Sequence, residues 1–288
     1  MHSQLLSAML QPMPELPEVE IVCRGLALAL EGRRLTGVTV RRGDLRRPIP
    51  AGFARQLTGR QVTRVSRRAK YLMLWLDNGQ VVLGHLGMSG RMLVSKADGR
   101  PPGKHDHVIF MTDDGAQVTY CDPRRFGLLD LLSREALQDD PRLCGLGPEP
   151  LEEIFTWKLL EKALAGRSSA IKITLLDQTV VAGIGNIYAS EALFRAGIRP
   201  SRAAGSVKAT EGRRLVKAIK AVLQDAIAAG GSSLRDHRRT DGELGYFQHS
   251  FAVYDREGQP CPNCDCAEGI QRIVQGGRST FYCAKRQG

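Results

Sequence analysis

The chain has 288 residues, with 41 Lys and Arg against 30 Asp and Glu and a formal charge of +11. That excess points to a polyanionic partner, nucleic acid first, against the plainer alternative of a merely basic soluble protein. Hydrophobic residues at 42% suffice for packed cores, the length suggests about two domains, and no apolar run approaches the ~18 residues of a membrane span. The opening MHSQLLSAMLQP lacks the basic start and small-residue cleavage site of a secretory signal. The expected setting is reducing and cytoplasmic, with no membrane partner.

In chain order, residues 18–30 predict a helix, with Pro17 at its start, Gly32 at its end and Val19, Val22, Leu26 and Leu30 on one apolar face. Short runs rich in β-formers follow at 35–42, 60–67, 71–77, 80–86, 92–95, 108–112, 117–121 and 128–132. Asn78-Gly79 and Asp114-Gly115 mark hairpin turns between them. Such a series reads as a β-sandwich. After Gly147-Pro148 the pattern turns helical, at 152–165, 171–176, 188–195 and 206–229. Residues 230–251 are rich in Gly, Ser and charge and read as a partly mobile connection; a short Cys-bearing hairpin ends the chain.

Seven cysteines occur. Cys23, Cys121 and Cys144 are scattered and read as small buried hydrophobes. Cys261, Cys264, Cys266 and Cys283 cluster as a metal site rather than a disulfide framework. The two histidines of Lys104-His105-Asp106-His107 lack further ligands and make a weak metal signal. Gly183 and Gly185 precede a helix start, where backbone N–H groups can meet a phosphate.

Several segments carry a resemblance: MPELPEVE from Met13, RRAKYL from Arg67, HLGMSG from His85, KHDH from Lys104, DPRRFG from Asp122, GIGNIYASE from Gly183 with GIRP after it, TDGELGYF from Thr240, and GRSTFYC ending at Cys283. In their order and spacing they resemble the bacterial formamidopyrimidine-DNA glycosylases over nearly the whole chain. The resemblance implies an N-terminal proline, here Pro14, whose amine attacks the sugar C1′ and forms a Schiff base. Glu15 would move protons at the sugar. Lys70 would act in β-elimination or hold the adjacent phosphate. Met88 would fill the gap left by the everted base, Arg124 would face the orphaned base, and Phe126 would wedge the stack. His105, Asn186, Lys172 and Arg167 would contact the DNA backbone. Arg278, at the hairpin tip, would grip phosphate and assist δ-elimination. TDGELGYF resembles the loop that closes over an oxidised purine.

Two departures stand out. Twelve residues precede Met13, and if they stay attached the nitrogen of Pro14 is a tertiary amide with no lone pair to offer. Either the natural chain starts at Met13, which is the reading preferred, or the extension is processed, or the protein is catalytically dead. In addition Arg286 stands where the family has its fourth zinc thiolate. A set of Cys261, Cys264, Cys266 and Cys283 could replace it, but only by drawing three tetrahedral corners from one strained loop; a zinc-free or weakly binding hairpin is the alternative.

The expected architecture is therefore α+β: residues 1–13 an extension, 14–147 a β-sandwich with a leading helix, 148–250 a helix–two-turns–helix domain, and 251–288 a zinc-finger-like hairpin. One Zn²⁺ per chain, a monomer, and damaged double-stranded DNA in a basic cleft between domains complete the expectation, in a nucleoid-associated bacterial protein. The implied activity is excision of oxidised purines followed by β,δ-elimination. Two rivals are the endonuclease VIII branch, which prefers oxidised pyrimidines, and a non-enzymatic DNA-binding protein.

Overall fold

The computed structural model describes residues 13–96, 99, 101–232, 240 and 245–288. It divides into two compact units, residues 1–144 with 230–246 and residues 145–229 with 247–288. Among the described residues no helix is long and apolar enough to cross a membrane.

In the first unit, helix α1 (Leu16–Leu30) buries Leu16, Val19, Val22, Cys23, Leu26 and Leu30, the three- and four-residue spacing of a single face. It begins two residues earlier than expected because Glu15 is its N-cap and forms a capping box with Glu18. Eight strands make two antiparallel four-stranded sheets. The first has β1 (Leu35–Val40), β6 (Asp106–Thr112), β7 (Ala116–Cys121) and β5 (Arg91–Lys96) in that order. The second has β2 (Val62–Arg68), β3 (Tyr71–Leu76), β4 (Gln80–His85) and β8 (Leu128–Ser133). Leu72, Leu74, Val82 and Leu129 of the second sheet share one core with Val108, Phe110, Val118 and Tyr120 of the first and with α1. The other face of the second sheet, through Met73, Val81 and Leu83, buries against Leu137. Burial on both faces explains why β3 and β4 read as apolar runs rather than alternations.

Two short helices escaped the sequence reading, α2 (Phe53–Leu57) and α3 (Arg134–Gln138). Five residues are too few to show a helical period. Gly79 and Gly115 adopt positive φ in the two expected hairpin turns. Of the three scattered cysteines only Cys23 is buried; Cys121 is half-buried and Cys144 is exposed in a turn, contrary to the expectation for both.

The second unit contains α4 (Trp157–Leu164), α5 (Ile171–Leu176), α6 (Asn186–Ala196), α7 (Ala209–Ala228) and a hairpin of β9 (Gln271–Gln275) and β10 (Arg278–Tyr282). Helix α4 is shorter than the predicted 152–165, since residues 150–154 form turns and Thr156 is the N-cap. The ring of Trp157 lies against Gly212 of α7 so closely that an added Cβ would sit 2.1 Å from it. Phe194 of α6 shares a core with Val253, Cys261, Ile270, Phe281 and Cys283. The Cys hairpin, in the segment read as 251–288, thus packs within the helical unit. Residues 230–246 fall in the first unit, where Ser232 bonds Glu18 and the Val94 N–H donates to the Thr240 carbonyl at 2.8 Å. Residues 241–244 of TDGELGYF lie outside the described residues.

Candidate active site and metal centre

Pro14 is buried at the head of α1, and Glu15 and Glu18 are each 2% exposed. Glu18 does the holding. Its Oε2 accepts the Glu15 backbone N–H at 3.0 Å, and its Oε1 accepts both the N–H and the hydroxyl of Ser232 at 2.8 Å. A carboxylate at a helix N-terminus is favoured by the unpaired N–H groups there. Sequence reasoning assigned Glu18 no role; the capping-box spacing from Glu15 was the signal available.

Lys70 sits in the two-residue turn between β2 and β3, closed by the pair Arg68 and Tyr71. Its neighbour Ala69 is fully buried with φ of 51°, a left-handed conformation that a non-glycine residue adopts only when its surroundings impose it. Arg67 supplies the constraint. Its Nη1 donates to the Ala69 carbonyl at 2.8 Å and its Nε to Glu20 Oε2 of α1 at 3.0 Å. Burial alone would raise the Glu20 carboxyl, but hydrogen bonds from Arg67 and Arg24 prevail and hold it below the usual range. Across the sheet, the His85 ring lies 4.9 Å from that of Tyr71. Burial, then the charges of Lys70 and Arg46, push His85 down to about 4. A neutral imidazole fits its bond, since Nδ1 accepts the Gly87 N–H at 3.0 Å.

Asp122, fully buried, ties together the loops that carry Met88, Arg124 and Phe126. One oxygen accepts Ser89 Oγ at 2.5 Å; the other accepts the Tyr120 hydroxyl at 3.1 Å and the Gly127 N–H at 2.9 Å. Ser89 Oγ in turn accepts the Arg124 N–H at 3.1 Å. Gly87, with φ of 63°, approaches the backbone of Phe126 so closely that a Cβ would lie 2.5 Å away. The result is one two-loop platform with Met88 half-buried and Phe126 45% exposed. The Arg124 guanidinium stacks 4.9 Å from the Phe126 ring centre. An aromatic side chain left this exposed contributes nothing to a core. The His105 carbonyl accepts the Asp122 N–H at 3.0 Å, and His107 Nε2 bonds the Asp122 carbonyl at 2.8 Å. The His107 ring and the His105 backbone therefore brace the platform. Among the described residues the two histidines form no group of three metal ligands.

In the second unit, Asn186 opens α6, and its Nδ2 donates to the Ser279 carbonyl at 2.9 Å. Arg167 pairs with Asp177 at 3.1 Å. Arg278 is exposed directly after the Gly276-Gly277 turn of the hairpin. Lys172 departs from the expected DNA contact. It is 0% exposed, and its ammonium donates to the Ser279 carbonyl and Thr280 Oγ1 at 3.0 and 2.7 Å. Glu191, also 0% exposed, accepts the N–H groups of Ala252, Val253 and Tyr254 at 2.9–3.0 Å. Sequence reasoning assigned it nothing.

The sulfurs of Cys261, Cys264, Cys266 and Cys283 all lie within 4.8 Å of one another, and Cys283 is 3.5 Å from both Cys264 and Cys266. A tetrahedron of Zn–S bonds of about 2.3 Å has sulfurs about 3.8 Å apart, so the four fit a metal ion. No residue from 261 to 266 has positive φ, so the loop brings three thiols together without left-handed backbone. Burial works against a Cys264 thiolate, yet the Cys266 N–H and neighbouring thiols draw Cys264 down to about 7. Arg286, at the family's fourth ligand position, lies 5.1 Å from the Phe194 ring centre instead. Gln287 accepts the Cys283 N–H and donates to the Ile198 carbonyl, both at 2.9 Å, which closes the tail.

The family model for the formamidopyrimidine-DNA glycosylase N-terminal domain matches residues 13–129, and that for the formamidopyrimidine-DNA glycosylase H2TH domain matches 146–238. The chain is 59% identical over 280 residues to the formamidopyrimidine-DNA glycosylase of Rhodospirillum rubrum, covering 96% of this chain and all of that one. The MutM (Fpg) crystal structure from Thermus thermophilus superposes with a TM-score of 0.83 at 38% identity, over 95% of this chain and 98% of that one. A Lactococcus lactis Fpg variant complexed with Fapy-dG DNA gives 0.86 at 34% identity, over 95% and 99%. The chain belongs to the formamidopyrimidine-DNA glycosylase family.

Proposed function

We propose that this glycosylase excises oxidised purines, 8-oxoguanine and formamidopyrimidines, from duplex DNA and then cuts the strand by β- and δ-elimination. The observation that carries the reading is the head of α1, where Glu18 fixes the backbone on which Pro14 and Glu15 are presented. A free proline has a secondary amine, and α-amino groups titrate near ~8, so a useful fraction is neutral at physiological pH. Its nitrogen bonds to C1′ as the glycosidic C–N bond breaks, and the base leaves with a proton. Opening of the sugar ring gives an iminium. Loss of a C2′ proton expels the 3′ phosphate, and a second elimination expels the 5′ phosphate. Glu15 handles the protons at the sugar. Lys70 and Arg278 hold phosphates, and Met88, Arg124 and Phe126 occupy the vacated stack. His105, Asn186 and Arg167 steady the backbone. This chemistry requires that nothing precede Pro14, because an attached residue turns its nitrogen into an amide.

Zn²⁺ suits the four thiolates of Cys261, Cys264, Cys266 and Cys283 and would supply folding stability to the hairpin rather than reaction chemistry. The proposed specificity is consistent with the Fapy-dG DNA bound by the Lactococcus lactis relative. The test is a competition on duplexes carrying 8-oxoguanine or thymine glycol, using the chain that begins at Pro14. Preferred release of 8-oxoguanine, leaving phosphate on both ends of the gap, is expected. Preferred release of thymine glycol would transfer the chain to the pyrimidine-specific branch.

A further inference from the structure

We infer that Lys172 is a positioning residue for Arg278, holding strand β10 from within, and makes no phosphate contact of its own. The inference rests on the reading that Arg278 grips phosphate. Lys172 is the second residue of α5 and is 0% exposed. An ammonium withdrawn from water is unfavourable unless hydrogen bonds replace its hydration, and this one is directed at two consecutive residues of β10, Ser279 and Thr280. Both follow directly on Arg278.

Neighbouring contacts converge on the same strand. The Ser279 carbonyl also accepts Asn186 Nδ2 at 2.9 Å, so α5 and α6 meet β10 at one oxygen. Gly276, in the hairpin turn, lies against α5, where an added Cβ would be 3.0 Å from Ile173 Cδ1. On β9, Gln275 Nε2 donates to the Pro200 carbonyl at 3.3 Å. Side chains two apart on a strand share a face, so the bond to the fully buried Thr280 hydroxyl also sets which face of β10 carries Arg278. An apolar side chain at 172 would fill the same volume but fix neither the register nor the face.

Salt dependence separates the two roles. Each phosphate contact adds about 0.9 to the slope of log affinity against log salt. Affinity for a duplex with a tetrahydrofuran abasic analogue is measured from low to physiological salt, with Lys172→Met made alone and on top of Arg278→Ala. Positioning predicts that Lys172→Met lowers the slope by up to about 0.9 when Arg278 is present and leaves it unchanged when Arg278 is Ala. Thr280→Val is the second variant and decides the matter where Lys172→Met fails to fold. It keeps the lysine charge, removes one of its acceptors, and should lower the slope in the same direction by less. A slope lowered by Lys172→Met in both backgrounds, or in neither, would overturn the inference, as would an unmoved slope in Thr280→Val. If Arg278→Ala alone leaves the slope unchanged, the Arg278 reading falls and this inference with it.

Discussion

In the first unit, the segments bearing Glu15, Arg124 and Phe126 are held from inside by carboxylates; in the second, the strand bearing Arg278 is held by an ammonium and packed beside four sulfurs. Glu18 and Asp122 each accept three hydrogen bonds from the groups they organise. Those carboxylates complete their sites with groups the chain itself supplies. The hairpin is different. Its four sulfurs stand within 4.8 Å of one another, and four thiolates at that separation would need a cation between them. The comparison teaches that the two-loop platform is held by groups the chain itself supplies, whereas the four sulfurs of the hairpin leave room for a metal ion.

The largest effect should come from Asp122→Ala. Three donors lose a charged acceptor in a buried site, each such bond being worth roughly 1.5–3 kcal/mol, so denaturant unfolding should show a loss of about 3 kcal/mol or more. The variant should lose lesion processing even at temperatures where it stays folded. A loss under about 1 kcal/mol would mean that the platform is not held by this carboxylate.

A smaller and more local effect is expected from Cys266→Ser. Metal content should fall well below one ion per chain after mild chelation, while the first unit keeps its melting behaviour. The smallest belongs to Arg286→Cys. Because Cys266 already stands with the other three sulfurs, the added thiol should leave metal content unchanged. The variant should lose the stacking on Phe194, about 0.5–1 kcal/mol, and the 3.3 Å bond from Arg286 Nε to the Phe194 carbonyl. Tighter metal binding in Arg286→Cys would show that the Cys266 arrangement is second-best, and retained metal in Cys266→Ser would remove Cys266 from the ligand set.

Much of this was readable beforehand where a residue's role follows from local chemistry. The α1 face, the Asn78-Gly79 and Asp114-Gly115 turns and the clustered cysteines are of that kind. The buried charges were not legible. Glu18, Asp122, Lys172 and Glu191 each look like solvated polar positions by periodicity alone, which assigns charge to the outside. Their partners, such as Ser232 for Glu18 and Thr280 for Lys172, lie 214 and 108 residues away. The geometry of the Cys261–Cys266 loop was not legible for a related reason. Spacing counts residues, whereas the fit of three thiols depends on φ and ψ along the loop.

The central claim is that Pro14 is the nucleophile, and borohydride trapping on 8-oxoguanine DNA tests it most directly. Reduction of the iminium fixes protein to DNA as a covalent adduct visible on a denaturing gel. The chain beginning at Pro14 should form the adduct, and its Pro14→Gly counterpart, which offers a primary amine in place of the secondary one, should trap with altered efficiency. The chain with residues 1–13 verified intact by mass should form none. Efficient trapping by that intact 288-residue chain would contradict the account, since an amide nitrogen at Pro14 cannot form the adduct and another amine would have to be the nucleophile.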